Sequence, residues 1–182
     1  MTIRPYMEKD KENVRFVCLN SEGPCDMDEA GRQYILTTYC DYYIEREPQN
    51  CFVAADETDR AVAYIICTES FELFYPVFIR DYVSRFSQAM FCYGAAHSAD
   101  LQAKFRAGYP AHLHIDVLPE FQRIGVGHRL VDTLAAHLRA KNVPGVMLTV
   151  GTSNFVGQSF YKKYGFTLLE ATEGDIAFGL KL

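Results

Sequence analysis

Apolar and polar positions change their period several times along this chain of 182 residues. Thr2–Tyr6 alternates weakly, as a first strand would. Lys9–Leu19 and Glu29–Glu45 carry helical patterns, parted by the breaker Glu22-Gly23-Pro24. Asn50–Ala55 and Ala61–Cys67 are apolar runs around a polar turn, Asp56–Arg60, which is the pattern of a β-hairpin. A long aromatic segment follows. In Ser70–Gly108, Phe71, Phe74, Tyr75, Phe78, Tyr82 and Phe86 recur at three- and four-residue steps, which is helical spacing. Ala111–Leu118 then alternates as a strand. Leu130, Val131, Leu134 and Leu138 mark a helix that starts near His128 and ends near Asn142, before Pro144-Gly145. Val146–Val150 reads as a strand and Asn154–Tyr164 as a helix closed by Gly165. Thr167–Glu170 and Ile176–Leu182 are two final strands. The pattern predicts one mixed α/β domain over residues 1–182, with a helical insertion at about 70–108.

Composition narrows the class. Apolar residues make up 49% of the chain, and Phe and Tyr together supply 25 side chains, so a disordered chain is excluded. A net charge of −5 argues against nonspecific nucleic-acid binding. The first ten residues hold no apolar signal core, and no run is apolar enough to span a membrane. The six cysteines are scattered with no C-x-x-C pair, which predicts reduced thiols and a cytoplasmic protein. Charge is unevenly spread. Between Pro119 and Gly165 six basic residues face only Glu120 and Asp132, so this stretch is +4 and the remainder −9. A basic segment in an acidic chain suits a bound polyanion, although solvated helix faces give the same count.

The sharpest string in that segment is Gln122-Arg123-Ile124-Gly125-Val126-Gly127, between a predicted strand and the helix beginning near His128. Amides at a strand-to-helix turn point outward, and the helix dipole adds positive charge, so such a turn holds phosphate oxygens. Glycines let the backbone approach the ligand. No Gly-Lys-Ser/Thr follows, so this is not a Walker loop. Position 130 is Leu, so the G-x-G-x-x-G spacing of a dinucleotide fold fails.

Downstream lies Asn154, then Tyr161, then Gly165-Phe166. Pro119-Glu-Phe-Gln-Arg-Ile-Gly-Val-Gly followed by Asn-x6-Tyr-x3-Gly-Phe resembles the GCN5-related N-acetyltransferases. The resemblance spans Leu113–Phe166 and extends more loosely to the first strand and hairpin. From Tyr109 to Phe166 the chain is also similar to bacterial acetyltransferases related to the acetyltransferase-like C-terminal domain of O-GlcNAcases. The resemblance implies a mostly antiparallel twisted sheet, helices on both faces, and central strands splayed near Leu118 and Val150. It implies an acetyl-CoA-dependent N-acetyltransferase acting on a primary amine, either a small molecule or a lysine side chain. The amides of Gln122, Arg123, Ile124, Gly125, Val126, Gly127 and His128 would hold the pyrophosphate of acetyl-CoA. Val117 and Leu118 would pair by their backbone with the pantetheine arm, and Asn154 would bond it from the other side. Tyr161 would protonate the leaving thiolate.

The residues themselves agree with such chemistry. A thioester is attacked by a neutral amine, so a base must take a proton and an acid must supply one to sulfur. Tyr161 suits the acid, because the phenol pKa of about 10 lies near that of a thiol. His112, His114 and Asp116 alternate with apolar neighbours and share one strand face. Asp116 is the first candidate for the base and His114 the second, and amides of this strand could polarise the thioester carbonyl. His112 and His114 also have H-x-H spacing, but no pattern supplies further zinc ligands and no metal is expected. The aromatic insertion reads either as a lid over the acceptor or as extra core or a dimer surface, and the chain as a monomer or homodimer. A non-catalytic acyl-CoA-binding or interaction module of the same fold is the alternative, although the intact glycines favour a working cofactor site.

Overall fold

The computed structural model describes every residue, Met1–Leu182. Seven strands form one sheet: β1 (Thr2–Pro5), β2 (Phe52–Ala55), β3 (Ala61–Thr68), β4 (Ala111–Val117), β5 (Gly145–Gly151), β6 (Thr167–Ala171) and β7 (Asp175–Lys181). Their order is β1-β2-β3-β4-β5-β7-β6. Every pairing is antiparallel except β4 with β5. The helices are α1 (Lys11–Asn20), α2 (Glu29–Leu36), α3 (Tyr42–Arg46), α4 (Phe71–Asp81), α5 (Ala89–His97), α6 (Asp100–Phe105), α7 (Val126–Ala140) and α8 (Phe155–Tyr164). The mixed, mostly antiparallel sheet expected from the sequence is the observed one.

Local chemistry accounts for the hairpin. The Asp56 carboxylate accepts from the amides of Thr58 and Arg60 and from the Thr58 hydroxyl, which closes the β2–β3 turn. Central strand β3 is buried along its whole length, so both of its faces need a cover. Val62, Tyr64 and Ile66 pack on one side against α1, α3 and α4. Ala63, Ile65 and Cys67 pack on the other side against α7 and α8. On α7, Leu130, Leu134 and Leu138 form a fully buried stripe at four-residue steps. Each such leucine contributes about 2 kcal/mol relative to exposure.

The predicted splay is present and has a simple origin. β4 pairs with β3 from Ala63↔Val117 to Thr68↔His112. β5 pairs with β7 along its whole length. Between β4 and β5 only Ala111↔Val146 and His112↔Met147 are in register. Beyond His112 the two strands diverge, and each is held by its outer neighbour alone. This opens a gap in the middle of a buried sheet.

The aromatic segment 70–108 forms α4, α5 and α6. Phe71, Phe74, Phe78 and Tyr82 are buried. The Phe74 ring lies edge-on to Tyr42, with centroids 4.7 Å apart, and stacks on Phe78 at 4.9 Å. Of the two readings offered by the sequence, core is the one these side chains fulfil.

Candidate active site

The turn after β4 is built to expose amides. Pro119–Phe121 makes a short 3-10 turn. The Gln122 side chain then donates to the Val117 carbonyl at 2.9 Å and the Ser21 carbonyl at 3.0 Å. Gln122 therefore ties the turn to the strand end and to the loop after α1. Arg123 and Gly125 take positive φ, 62° and 86°, which is a left-handed conformation suited to glycine at 125. From Arg123 to His128 no amide donates to any backbone carbonyl. Six consecutive N–H groups stay free where α7 begins, and the helix dipole adds to them. Gly127 serves a different need. A Cβ there would lie 3.1 Å from the Phe160 ring, so glycine allows α7 and α8 to approach.

These amides border a cleft of about 750 Å³. Asp116, Val117, Gln122, Arg123, Gly125, Val126, Gly127, His128, Asn154 and Tyr161 all line it, and so do Ser21, Glu22 and Phe160. A smaller cavity of about 250 Å³ adjoins it in the β4–β5 gap, and Ile115, Asp116, Asn154 and Tyr161 belong to both. His114, Tyr39 and Asp175 line only the smaller one. Asp116 and Tyr161 thus stand where the two spaces meet.

One residue grouped with the site by sequence lies elsewhere. Leu118 is buried in the core, and its amide donates to the Val62 carbonyl at 3.1 Å. Strand alternation then turns the amides of Val117 and Ile115 the other way, into the gap. Val117 is the residue whose backbone faces the cleft. The Ile124 side chain is exposed and does not line the cleft, so only its free amide is placed for a ligand.

Electrostatics separate the titratable groups. Burial raises the Asp116 carboxyl to about 6, against the opposing hydrogen bonds from Tyr64 and Ser21. Burial raises the Tyr161 phenol well above its ordinary value, and the nearby Asp116 charge adds to this. Tyr161 therefore keeps its proton through the physiological range. Burial lowers the His114 imidazole to about 4. Both Nε2 atoms of His112 and His114 lie within hydrogen-bond distance of the Tyr43 hydroxyl, at 2.9 and 3.0 Å. No group of three or more His, Cys, Asp or Glu side chains is arranged to hold a metal ion.

Asn154 is the N-cap of α8. Its Oδ1 accepts from the Gly157 amide at 2.8 Å, and its Nδ2 donates to Glu22 at 3.1 Å. The amino acid at position 154 thus joins the helix start to the loop after α1.

Sequence reasoning missed Ser21, Glu22, Tyr39, Tyr43, Tyr64 and Asp175. Glu22 sits in the helix breaker noted in the sequence, which was the one available signal. Tyr39 lies in a π-type turn, Thr37–Asp41, between α2 and α3. Such wide turns leave no mark in a helical pattern, yet they redirect side chains and are common at functional sites. No residue of 70–108 lines either space. The aromatic face of α4 packs into the core behind His112, with the Phe74 and His112 ring centroids 4.6 Å apart.

A family model described as acetyltransferase (GNAT) family matches residues 15–166. Among solved structures, SsHAT superposes with a TM-score of 0.88 at 24% identity, covering 99% of this chain and 97% of that one. PaiA N-acetyltransferase from Thermoplasma acidophilum, solved with coenzyme A, gives a TM-score of 0.62 at 16% identity, covering 100% and 98%. The polyamine N-acetyltransferase of Drosophila melanogaster, which forms N-acetylagmatine, gives 0.66 at 16% identity, covering 100% and 99%.

Proposed function

This chain belongs to the acetyltransferase (GNAT) family, and from that premise we propose that it transfers the acetyl group of acetyl-CoA to a primary amine by direct attack on the thioester. The observation that carries this reading is the junction of the two spaces. The larger cleft runs from the free amides of residues 123–128 to Asp116 and Tyr161. The smaller one reaches the same two residues through the β4–β5 gap. A donor and an acceptor entering separately would meet there.

Each residue then has a task its chemistry allows. The amides from Arg123 to His128 suit pyrophosphate oxygens, and Arg123 adds charge at the cleft wall. The amides of Ile115 and Val117 face the gap and offer hydrogen bonds to an extended arm. Asp116 is ionised above about pH 6 and takes the proton of the attacking ammonium. The amine nitrogen bonds to the acetyl carbon, the C–S bond breaks, and Tyr161 supplies a proton to sulfur. The nitrogen, now bonded to the acetyl carbon, sheds its second proton, which reprotonates the tyrosinate through solvent, and the proton on Asp116 passes to bulk water. No covalent enzyme intermediate forms.

The acceptor side favours a cation. Asp116 and Asp175 line the smaller cavity and no Lys or Arg does. Burial keeps His114 neutral there. An ammonium is attracted into such a space, and a neutral or anionic acceptor is not.

Calorimetric titration with acetyl-CoA, beside desulfo-CoA and ATP, tests the donor site. Acetyl-CoA should bind far more tightly than ATP, and a screen of small amines and lysine peptides should then show thiol release. Absence of binding at millimolar acetyl-CoA would refute the proposal. Binding without turnover on any amine would make the chain an acyl-CoA-binding module.

A further inference from the structure

Two histidines share one hydroxyl behind the acceptor space. Tyr43 on α3 is fully buried, and its hydroxyl lies 2.9 Å from His112 Nε2 and 3.0 Å from His114 Nε2. A phenol has one hydrogen. It can donate to one imidazole and must accept from the other. Burial disfavours the charged form of both rings, so each is neutral and carries one N–H.

Two proton arrangements satisfy Tyr43. In one, His112 donates from Nε2 to the Tyr43 oxygen, and Tyr43 donates to His114 Nε2. His114 then carries its hydrogen on Nδ1, and His112 Nδ1 is a bare lone pair. In the other, every bond is reversed and His112 carries its hydrogen on Nδ1. That atom decides between them. His112 Nδ1 is sealed from solvent and has no hydrogen-bond partner. A buried N–H with no acceptor is rarer and costlier than an acceptor left bare. The first arrangement therefore wins.

We propose that Tyr43 is a positioning residue that locks His114 as its Nδ1–H tautomer, so that His114 presents a hydrogen-bond donor, and not a base, on the acceptor side of the site. His114 lines the smaller cavity, and only its Nε2 is engaged within the protein. Its remaining nitrogen is the one that carries the hydrogen. Asp116, two residues along the same strand face, is then the proton acceptor of that space. The assignment rests on the acetyl-transfer reading for what His114 faces, and on hydrogen-bond accounting alone for the tautomer.

The test is a long-range proton–nitrogen correlation spectrum of the ¹⁵N-labelled protein at pH 7, which distinguishes the two neutral tautomers. His114 should show a protonated Nδ1 and a bare Nε2, and His112 the opposite pattern. Tyr43→Phe should release the lock and leave His114 as an averaged mixture. His112→Gln should preserve the His114 pattern, because a glutamine amide can still donate to Tyr43. In turnover assays, Tyr43→Phe should lower kcat several-fold with the KM for acetyl-CoA unchanged. Wild-type His114 protonated on Nε2, or an unchanged His114 in Tyr43→Phe, would overturn the inference. If Tyr43→Phe fails to fold, the wild-type and His112→Gln spectra decide alone. Failure of acetyl-CoA to bind would refute the transferase reading and leave the tautomer result standing.

Discussion

Tyr64 on β3 lies directly opposite Asp116 on β4, and its fully buried hydroxyl donates to the Asp116 carboxylate. The pair sets the character of the proposed base. Burial pushes the carboxyl up, and the tyrosine bond holds it back by stabilising the charged form. Tyr64→Phe removes only the donor and keeps the ring in the core. The Asp116 pKa should then rise above its value of about 6. The acidic limb of the kcat/KM profile should move to higher pH, and an unmoved limb would separate Asp116 from the rate.

Stability should depend on pH through opposed groups on β4, Asp116 on one side and the buried histidines, His112 and His114, on the other. Asp116 titrates higher in the folded state, so its contribution is present at low pH and is lost as pH rises through about 6. His114 titrates lower in the folded state, near 4. Between there and its ordinary range the unfolded chain takes up the proton first, so stability falls as pH falls through that window. In Asp116→Asn the first effect disappears and the second remains. Urea midpoints at pH 7, 5.5 and 4.5 should drop more steeply in that variant than in the wild type.

Tyr161→Phe should retain acetyl-CoA affinity and lose rate. Burial and the neighbouring Asp116 charge keep the phenol protonated, which is the state a proton donor needs. A positioned acid is worth about 100-fold or more. Titration calorimetry should give unchanged affinity while kcat falls by about that factor. Equal turnover would remove Tyr161 from the mechanism.

Gly125→Val tests the amide turn. A Cβ at Gly125 meets nothing within 4 Å, so crowding is not the problem. The cost lies in φ of 86°, a left-handed conformation that a β-branched residue adopts at about 1–2 kcal/mol or more. The turn should relax and scatter the free amides. Acetyl-CoA affinity should fall by more than about tenfold, equivalent to about 1.4 kcal/mol. The same affinity in the variant would show that the phosphate groups lie elsewhere.

Asn154→Ala removes a helix cap and the bond to Glu22. Lost caps cost about 1 kcal/mol. In a chain of this size that lowers Tm by about 2–4 °C. Differential scanning calorimetry would show the shift, and an unchanged Tm would mean that water replaces the cap.

Much of the molecule was legible from period and punctuation. The hairpin, the β-α-β-α order near the C-terminus and the glycine turn are local features, set by alternation, breakers and backbone freedom within a few residues. The shared face of His112, His114 and Asp116 also followed from strand period alone. What periodicity names is a face, and never what lies across from it. Tyr43 and Tyr64 meet that face from 69 and 52 residues away along the chain, and Asp175 reaches the same cavity from β7. Leu118 and Val117 are adjacent in sequence and opposite in fate, because pairing with β3 claims one amide and leaves the other in the gap. The aromatic face of α4 could have been lid or core by composition, and it is buried against Tyr42 and His112 as core. These outcomes belong to the tertiary structure because burial and strand pairing are collective: each depends on which distant segment fills the space first, and no local window holds that information.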